Sequence, residues 1–290
     1  MSLIAALGCI AALLALAPVA IALSRSASAS KIIYGACLAV TAIGATAGFI
    51  ALLSMGHLKE TQVLPLGLPW LGAHFRLDSL SAFFLIVVNF GAAAASLFAI
   101  GYGQHEDAPE RILPFYPVFI AAMNLVVLSD DAFTFLVSWE FMSLTSWALV
   151  LAHHEEPENL RAGFVYLLMA SFGTLCLLLA FALLAGTDGG YDFTTIEAHH
   201  HSGELSGLVV VLALIGAGSK AGLVPLHVWL PLAHPAAPSH ISALMSGVMT
   251  KVAVYGFVRI VFDLLGPPDW WWSMVVLGVG GITAVMGVLN

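Results

Sequence analysis

Apolar residues run in blocks of about twenty along this chain, separated by short stretches that hold most of the polar and charged side chains. A helix needs roughly 20 apolar residues to cross the hydrocarbon core of a bilayer. Nine blocks approach that length: 3–23, 32–53, 80–101, 112–128, 131–151, 162–185, 207–230, 240–262 and 273–290. They are too long, and too continuously apolar, for the alternating strands of ~9–11 residues in an outer-membrane barrel. The pattern predicts an all-α polytopic membrane helical bundle of about nine transmembrane helices. Two connections are longer than the rest. Residues 54–79 contain Pro65, Gly67 and Pro69 between short apolar pieces, and read as a surface flap or a hairpin. Residues 186–206 contain Gly186, Gly189, Gly190 and the run His199-His200-His201. Neither connection has room for a soluble catalytic domain. The first block has no positive charge before it and exceeds the length of a secretory apolar region, so it is read as a retained span. The last block reaches Asn290 with no flanking charge, which predicts a fragment of a longer protein.

Composition narrows the class. Of the 290 residues 60% are hydrophobic and only 9% charged, against about 25% in a soluble domain. The formal charge is −8 and the mean hydropathy +0.99. A soluble enzyme is excluded. So is a nucleic-acid binder, because no cluster of Lys and Arg is present to neutralise phosphates. Cys9, Cys37 and Cys176 all lie in apolar blocks without metal-ligand spacing, and are read as packing residues; no metal or cofactor is expected. Lys and Arg in the short loops give a four-to-three vote for an outside N-terminus. Arg25, Lys31, Arg111 and Arg161 would lie inside, and Lys59, Arg76 and Arg259 outside. Trp270, Trp271 and Trp272 suit an interfacial belt, and Arg259 is expected to snorkel to the same interface.

Three ionisable residues sit deep within blocks, where each costs ~2.5–3.5 kcal/mol on insertion scales and so points to function. They are Glu140, Lys220 and Lys251, on three different predicted helices. The bland alternative is a Glu140–Lys220 ion pair that glues helices together. It leaves Lys251 unexplained. It also ignores the glycines at 216, 218 and 222 around Lys220, and Pro225 beyond them, which predict a broken seventh helix. Discontinuous helices at membrane depth are a mark of ion-handling sites. Burial disfavours an ammonium and a nearby carboxylate favours it, so a change in the Glu140–Lys220 distance would make Lys220 hold or release a proton. His227, His234 and His240 follow the break and offer a proton relay, or simply hydrogen bonds for a re-entrant turn.

Several lookalikes fail. Gly216-Ala217-Gly218-Ser219-Lys220-Ala221-Gly222 lacks phosphate-loop spacing and a preceding strand. His153-His154-Glu155-Glu156 lacks the second histidine of a zinc protease. The triple histidine reads as a solvated loop. Asp130 and Asp131 read as a helix start.

The stretch from Lys220-Ala-Gly-Leu-Val-Pro-Leu-His227 through His234-Pro-Ala-Ala-Pro-Ser239-His240 to Thr250-Lys251-Val-Ala-Val-Tyr-Gly-Phe-Val-Arg259 resembles the central signature of antiporter-like proton-translocating membrane subunits. These occur in respiratory complex I, Mrp-type antiporters and membrane-bound hydrogenases. Phe75-Arg-Leu-Asp78-Ser-Leu-Ser81-Ala-Phe83-Phe84 resembles the family's early motif, and Trp139-Glu140-Phe-Met-Ser-Leu its fifth-span motif. Leu232 stands where the complex I form usually has Asp, which makes this form more similar to hydrogenase 4 component B and the formate hydrogenlyase membrane subunit. The resemblance implies a fourteen-helix inverted-repeat fold, of which this chain would be the N-terminal portion. Residues 1–111 would hold helices one to three, 112–262 a five-helix proton-channel repeat, and 263–290 the start of a second repeat. It further implies proton transfer along Glu140, Lys220 and Lys251, and a multi-pass place in a bacterial or archaeal plasma membrane. The implied partners are other membrane subunits and a peripheral redox arm of nickel–iron hydrogenase or complex I type, with protons or sodium as cargo. Arg161 would partner Glu140 or a loop carboxylate. A Mrp-type cation/proton antiporter subunit and a non-conducting structural subunit stay open beside this reading.

Overall fold

The structure, a computed structural model, describes residues 2–24, 26, 28–54, 59–68, 70–106, 108–186, 189–198 and 203–289. Arg25, Pro69 and the His199-His200-His201 run lie outside the described residues. Among those described, nine helical segments are long and apolar enough to cross a membrane. In chain order the elements are α1 (Ser2–Leu23), α2 (Ala29–Ser54), β1 (Glu60–Leu64), β2 (Ala73–Leu77), α3 (Ser79–Tyr102), α4 (Pro109–Ile112), α5 (Phe115–Leu128), α6 (Ala132–Val150) and α7 (Pro157–Ala185). Then follow α8 (Phe193–Ala198), α9 (Gly203–Ala221), α10 (Leu230–Ala236), α11 (Ser239–Leu244), α12 (Thr250–Val258) and α13 (Trp270–Leu289).

Local chemistry sets these ends. Asp78 caps α3 by accepting a hydrogen bond from the Ser81 amide at 2.8 Å, and Asp131 caps α6 through the Thr134 amide at 2.6 Å. α7 starts five residues before the apolar block because Pro157 and Glu158 suit a first helical turn, although they are too polar to count toward a span. The flap at 54–79 is an antiparallel hairpin pairing Glu60 with Leu77 and Leu64 with Ala73. Its second strand is no surface feature: Phe75, Arg76 and Leu77 are buried. The hairpin is stitched to the α5–α6 turn, where Asp130 N–H donates to His74 O at 2.9 Å and His74 N–H donates to Asp131 Oδ2 at 2.9 Å.

Between helices, small residues let backbones approach, as lipid-embedded packing requires. A Cβ on Gly216 of α9 would lie 2.8 Å from the Gly173 carbonyl oxygen of α7. Asn89 of α3 donates to Asn124 Oδ1 of α5 at 2.7 Å, a buried polar clasp inside an otherwise apolar core. The seventh span is interrupted where the glycines and Pro225 predict it. α9 stops at Ala221, Gly222 takes φ of +84°, and the chain turns through a 3-10 segment at Leu226–Trp229 into α10. The eighth span is also irregular, with π-helical turns at Met245–Met249 and Arg259–Leu264 on either side of α12.

Two expectations are corrected. Arg259 does not snorkel. It is 1% exposed and its guanidinium is bonded to Asp78, Ser81, Tyr255 and Asp263, because four oxygen-bearing side chains converge on it inside the fold. Asp130 does more than mark a helix start. It lies 3.1 Å from Arg76 Nε, buried, because the hairpin folds back over the head of α6. Arg76 and Arg259, two of the three charges expected outside, are neutralised inside the protein rather than solvated in loops.

Candidate functional site

The break in α9 leaves Lys220 next to the last residue of a helix that ends inside the bundle, 3% exposed. Its Nζ donates to Ser143 Oγ of α6 at 2.6 Å and to Tyr166 OH of α7 at 3.2 Å. The ammonium lies 5.2 Å from the centre of the Tyr166 ring. Tyr166 OH pairs with Ser146 Oγ at 2.6 Å and donates to Met249 Sδ at 3.7 Å, which reaches the π-helical turn ahead of Lys251. Trp229, beyond the break, returns to bond the Ser219 carbonyl at 2.7 Å and packs its ring 4.9 Å from Tyr166. The loosened chain end is thus pinned beside the buried lysine.

Glu140 is half-buried on α6 and accepts a hydrogen bond from Thr174 Oγ1 of α7. It opens onto an apolar groove of about 450 Å³ formed with Phe133, Val137, Leu144 and Leu178. Glu140 and Ser143 are three residues apart on one helix, so they share a face. No ion pair joins Glu140 and Lys220; each has a hydroxyl partner instead. The helix-gluing pair weighed from sequence is therefore not formed. Arg161 is exposed and makes no ion pair with Glu140.

Lys251 stands apart from this pair. It is exposed on α12 and its Nζ donates to the Ser246 carbonyl at 2.9 Å and to Thr250 Oγ1 at 3.2 Å. The histidines are separate as well. His234 Nδ1 lies 2.8 Å from Ser242 Oγ, and buried His240 Nε2 lies 3.0 Å from Tyr34 OH. His227 is half-buried with Nδ1 lacking a hydrogen-bond partner among the described residues. None of the three hydrogen-bonds to Lys220 or Lys251. The structure thus brings Glu140 and Lys220 to positions where α6, α7 and α9 pack together, and leaves Lys251 and the three histidines outside that contact.

Sequence reasoning missed the hydroxyls that hold the charges: Ser143, Ser146, Tyr166 and Thr174. A signal was present. Glu140, Ser143 and Ser146 recur every third residue along α6, among further hydroxyls at Thr134, Ser138 and Thr145, and Tyr166 and Thr174 lie in the longest helix. Among the described residues no group of three His, Cys, Asp or Glu side chains is placed to hold a metal ion.

Known proteins match this chain in sequence and in fold. The family model described as NADH:quinone oxidoreductase/Mrp antiporter, TM, matches residues 129–290. A Mycobacterium tuberculosis protein described only as uncharacterized is 40% identical over 238 residues, 81% of this chain and 37% of its own. Hydrogenase-4 component B of Escherichia coli is 40% identical over 218 residues, 74% of this chain and 32% of its own. The chain spans about a third of the length of these curated relatives. A chain in the structure of a Mrp complex from Dietzia sp. superposes with a TM-score of 0.80 at 23% identity, over 97% of this chain and 30% of that one, a likeness of fold.

Proposed function

The chain belongs to the NADH:quinone oxidoreductase/Mrp antiporter transmembrane family, and from that premise we propose that it carries protons across the membrane as part of a redox-driven complex of hydrogenase 4 type. The observation that supports this most is Lys220: a buried lysine at a helix break, held by two hydroxyls and by no carboxylate. Hydroxyls satisfy either protonation state of an amine, since each can accept from an ammonium or donate to a neutral nitrogen. Glu140, one helix turn from Ser143, supplies the charge that biases the choice. When Glu140 is ionised and near, Lys220 keeps its proton; when Glu140 is neutralised or drawn toward the groove, Lys220 gives it up. Tyr166 and Met249 lead from Lys220 toward the segment that carries Lys251. In this reading 112–262 is the conducting repeat, Lys251 takes the proton onward, and His227, His234 and His240 serve hydrated approaches on the side of the break.

The drive comes from elsewhere. Moving one charge against 100 mV takes ~2.3 kcal/mol, and this stretch carries no cysteine cluster to hold an iron–sulfur centre. The electrons would run in partner subunits, and a charge or shape change there would push Glu140 relative to Lys220. The 40% identity with hydrogenase-4 component B supports the hydrogenase-like reading, beside which the Mrp-type reading stays open.

The test is proton uptake by proteoliposomes holding the complete complex, with wild type and Glu140→Gln compared at equal redox turnover. The reading expects Glu140→Gln to lose most of the uptake. Full uptake in that variant overturns the Glu–Lys mechanism. Transport that requires sodium and proceeds without a redox partner moves the assignment to the cation/proton antiporter.

A further inference from the structure

A second group of charges lies where the hairpin packs against the α5–α6 turn and the end of α12. Its centre is Asp78, which faces two buried arginines at once. Arg259 donates to both its oxygens, at 2.7 and 2.9 Å, and Arg76 Nε lies 3.4 Å away. Arg76 also donates to Glu197 Oε1 of α8 at 2.8 Å. Asp130, at the turn between α5 and α6, completes the group 3.1 Å from Arg76 Nε. That contact is an ion pair without hydrogen-bond alignment: Asp130 Oδ1 and Arg76 Nε both lack a hydrogen-bond partner among the described residues, though both are buried. Lys59 and Glu197 are exposed at 48% and 25% of their side chains, Asp78 is at 18%, and Asp130 and Arg76 are buried at 7% and 2%. The group therefore joins solvent-exposed charges at Lys59 and Glu197 to a buried carboxylate oxygen that has no hydrogen bond to lose among the described residues.

The group is joined to the helices that carry the proposed transport residues. Arg259 Nε donates to Tyr255 OH at 3.1 Å, and Tyr255 OH donates to the Val127 carbonyl at 2.7 Å. Tyr255 lies one turn of α12 beyond Lys251, and Asp130 sits at the head of α6, the helix of Glu140. From these contacts we propose that Asp130 is a proton-binding site, and that the charged group around it is the port through which the transport residues exchange protons with water on the hairpin side. The proposal rests on the proton-transport reading above and adds a residue and a membrane face to it.

The energetics fit. Burial pushes the Asp130 carboxyl up to about 6, against the pull of Arg76, Arg259 and Lys59 and with the repulsion of Glu197. Asp131 beside it accepts from the Thr134 and His74 amides, and Asp192 of the facing segment accepts from the Thr195 amide. His74 offers its backbone carbonyl to the Asp130 amide, and Asp263 neutralises Arg259 from the far side. A proton arriving on Asp130 frees Arg76 to lean toward Asp78, which loosens the hold of Asp78 on Arg259 and so on the end of α12. Release of that proton past Glu197 restores the starting arrangement. Occupancy of the port and the position of the helix bearing Lys251 are thereby coupled.

The experiment is a pH titration of proton transport by the complete complex in proteoliposomes. Wild type, Asp130→Asn, Asp130→Glu and, as a control on an exposed carboxylate, Glu110→Gln are compared per assembled complex. The proposal expects a step near pH 6 in wild type and in Glu110→Gln, absent in Asp130→Asn and displaced in Asp130→Glu. Infrared difference spectra of the same samples expect a protonated-carboxyl band that titrates with that step and vanishes in Asp130→Asn. An unchanged profile and band in Asp130→Asn, or only a lowered yield of complex, overturns the port. If Asp130→Asn does not assemble, Asp130→Glu decides: an undisplaced step overturns it. Lys220→Ala, run in parallel, separates the two claims. Wild-type transport there sinks the transport reading, while the infrared band still reports whether Asp130 binds the proton.

Discussion

Replacing Asp78 by Asn removes a charge while keeping a side chain that caps a helix almost as well, so the variant isolates the ionic role. Asp78 receives two hydrogen bonds from Arg259, whose side chain is 1% exposed. Removing one partner of a buried pair costs ~3–5 kcal/mol because the other charge is left without compensation. Arg259 retains Asp263, but that carboxylate is 34% exposed and only partly offsets the loss. The expected destabilisation is therefore at the low end, about 3 kcal/mol. Asp78→Ala adds about 1 kcal/mol for the lost cap on Ser81 N. Burial resists ionisation of Asp78, but Arg259, the Ser81 amide and Arg76 together hold its carboxyl well below the usual carboxylate range. Its contribution is thus present above the ordinary carboxylate value of about 4 and is lost only as the pH falls through the lowered one. Reversible unfolding in mixed micelles should show this gap between wild type and Asp78→Asn at pH 8, and a reduced but persistent gap at pH 5, where a proton on Asp130 loosens the Asp78–Arg259 contact. A gap under about 1 kcal/mol, or one that disappears between pH 8 and pH 5, refutes the buried pair.

Three further outcomes follow from the same contacts. Gly216→Ala places a Cβ 2.8 Å from the Gly173 carbonyl, so α7 and α9 must part; a loss of ~1–3 kcal/mol in unfolding measurements is expected, with transport falling along with it. Tyr166→Phe keeps the ring beside Trp229 but removes the hydroxyl shared by Lys220 and Ser146; stability within ~1 kcal/mol of wild type with transport at least several-fold slower is expected in paired melting and uptake assays. For Asp130 the sign is opposite to that of Asp78. Its folded value is raised, so its contribution is full below about 4 and is lost as the pH rises through about 6. Across that window wild type should lose stability relative to Asp130→Asn by up to about 3 kcal/mol, read as a pH-dependent gap between their unfolding curves.

Much of the architecture is legible in the chain because lipid leaves few alternatives: a block of about twenty apolar residues can only be a helix. The break after Ala221 is legible for the same reason, since Gly222 and Pro225 cannot both continue one. Glu140, Lys220 and Lys251 stand out because depth makes a charge costly. What depth does not reveal is which charges meet. Lys220 and Lys251 look equivalent in sequence, yet one is enclosed by Ser143 and Tyr166 and the other lies on the exposed side of α12. The hydroxyl partners carry no insertion penalty of note, so they escape a search for expensive residues. Arg76, Asp78, Asp130 and Arg259 escaped for another reason. They sit at block ends, where charges are ordinarily solvated, and only the folding of the hairpin onto the bundle buries them.

The claim on which the account turns is that Lys220 holds and passes the transported proton. The direct measurement is protons translocated per electron pair by the complete complex in sealed proteoliposomes, with Lys220→Met replacing the amine by an apolar chain of similar length. The account predicts that electron transfer continues at a reduced rate while the ratio falls to near zero. A wild-type ratio in Lys220→Met, with the complex fully assembled, contradicts it.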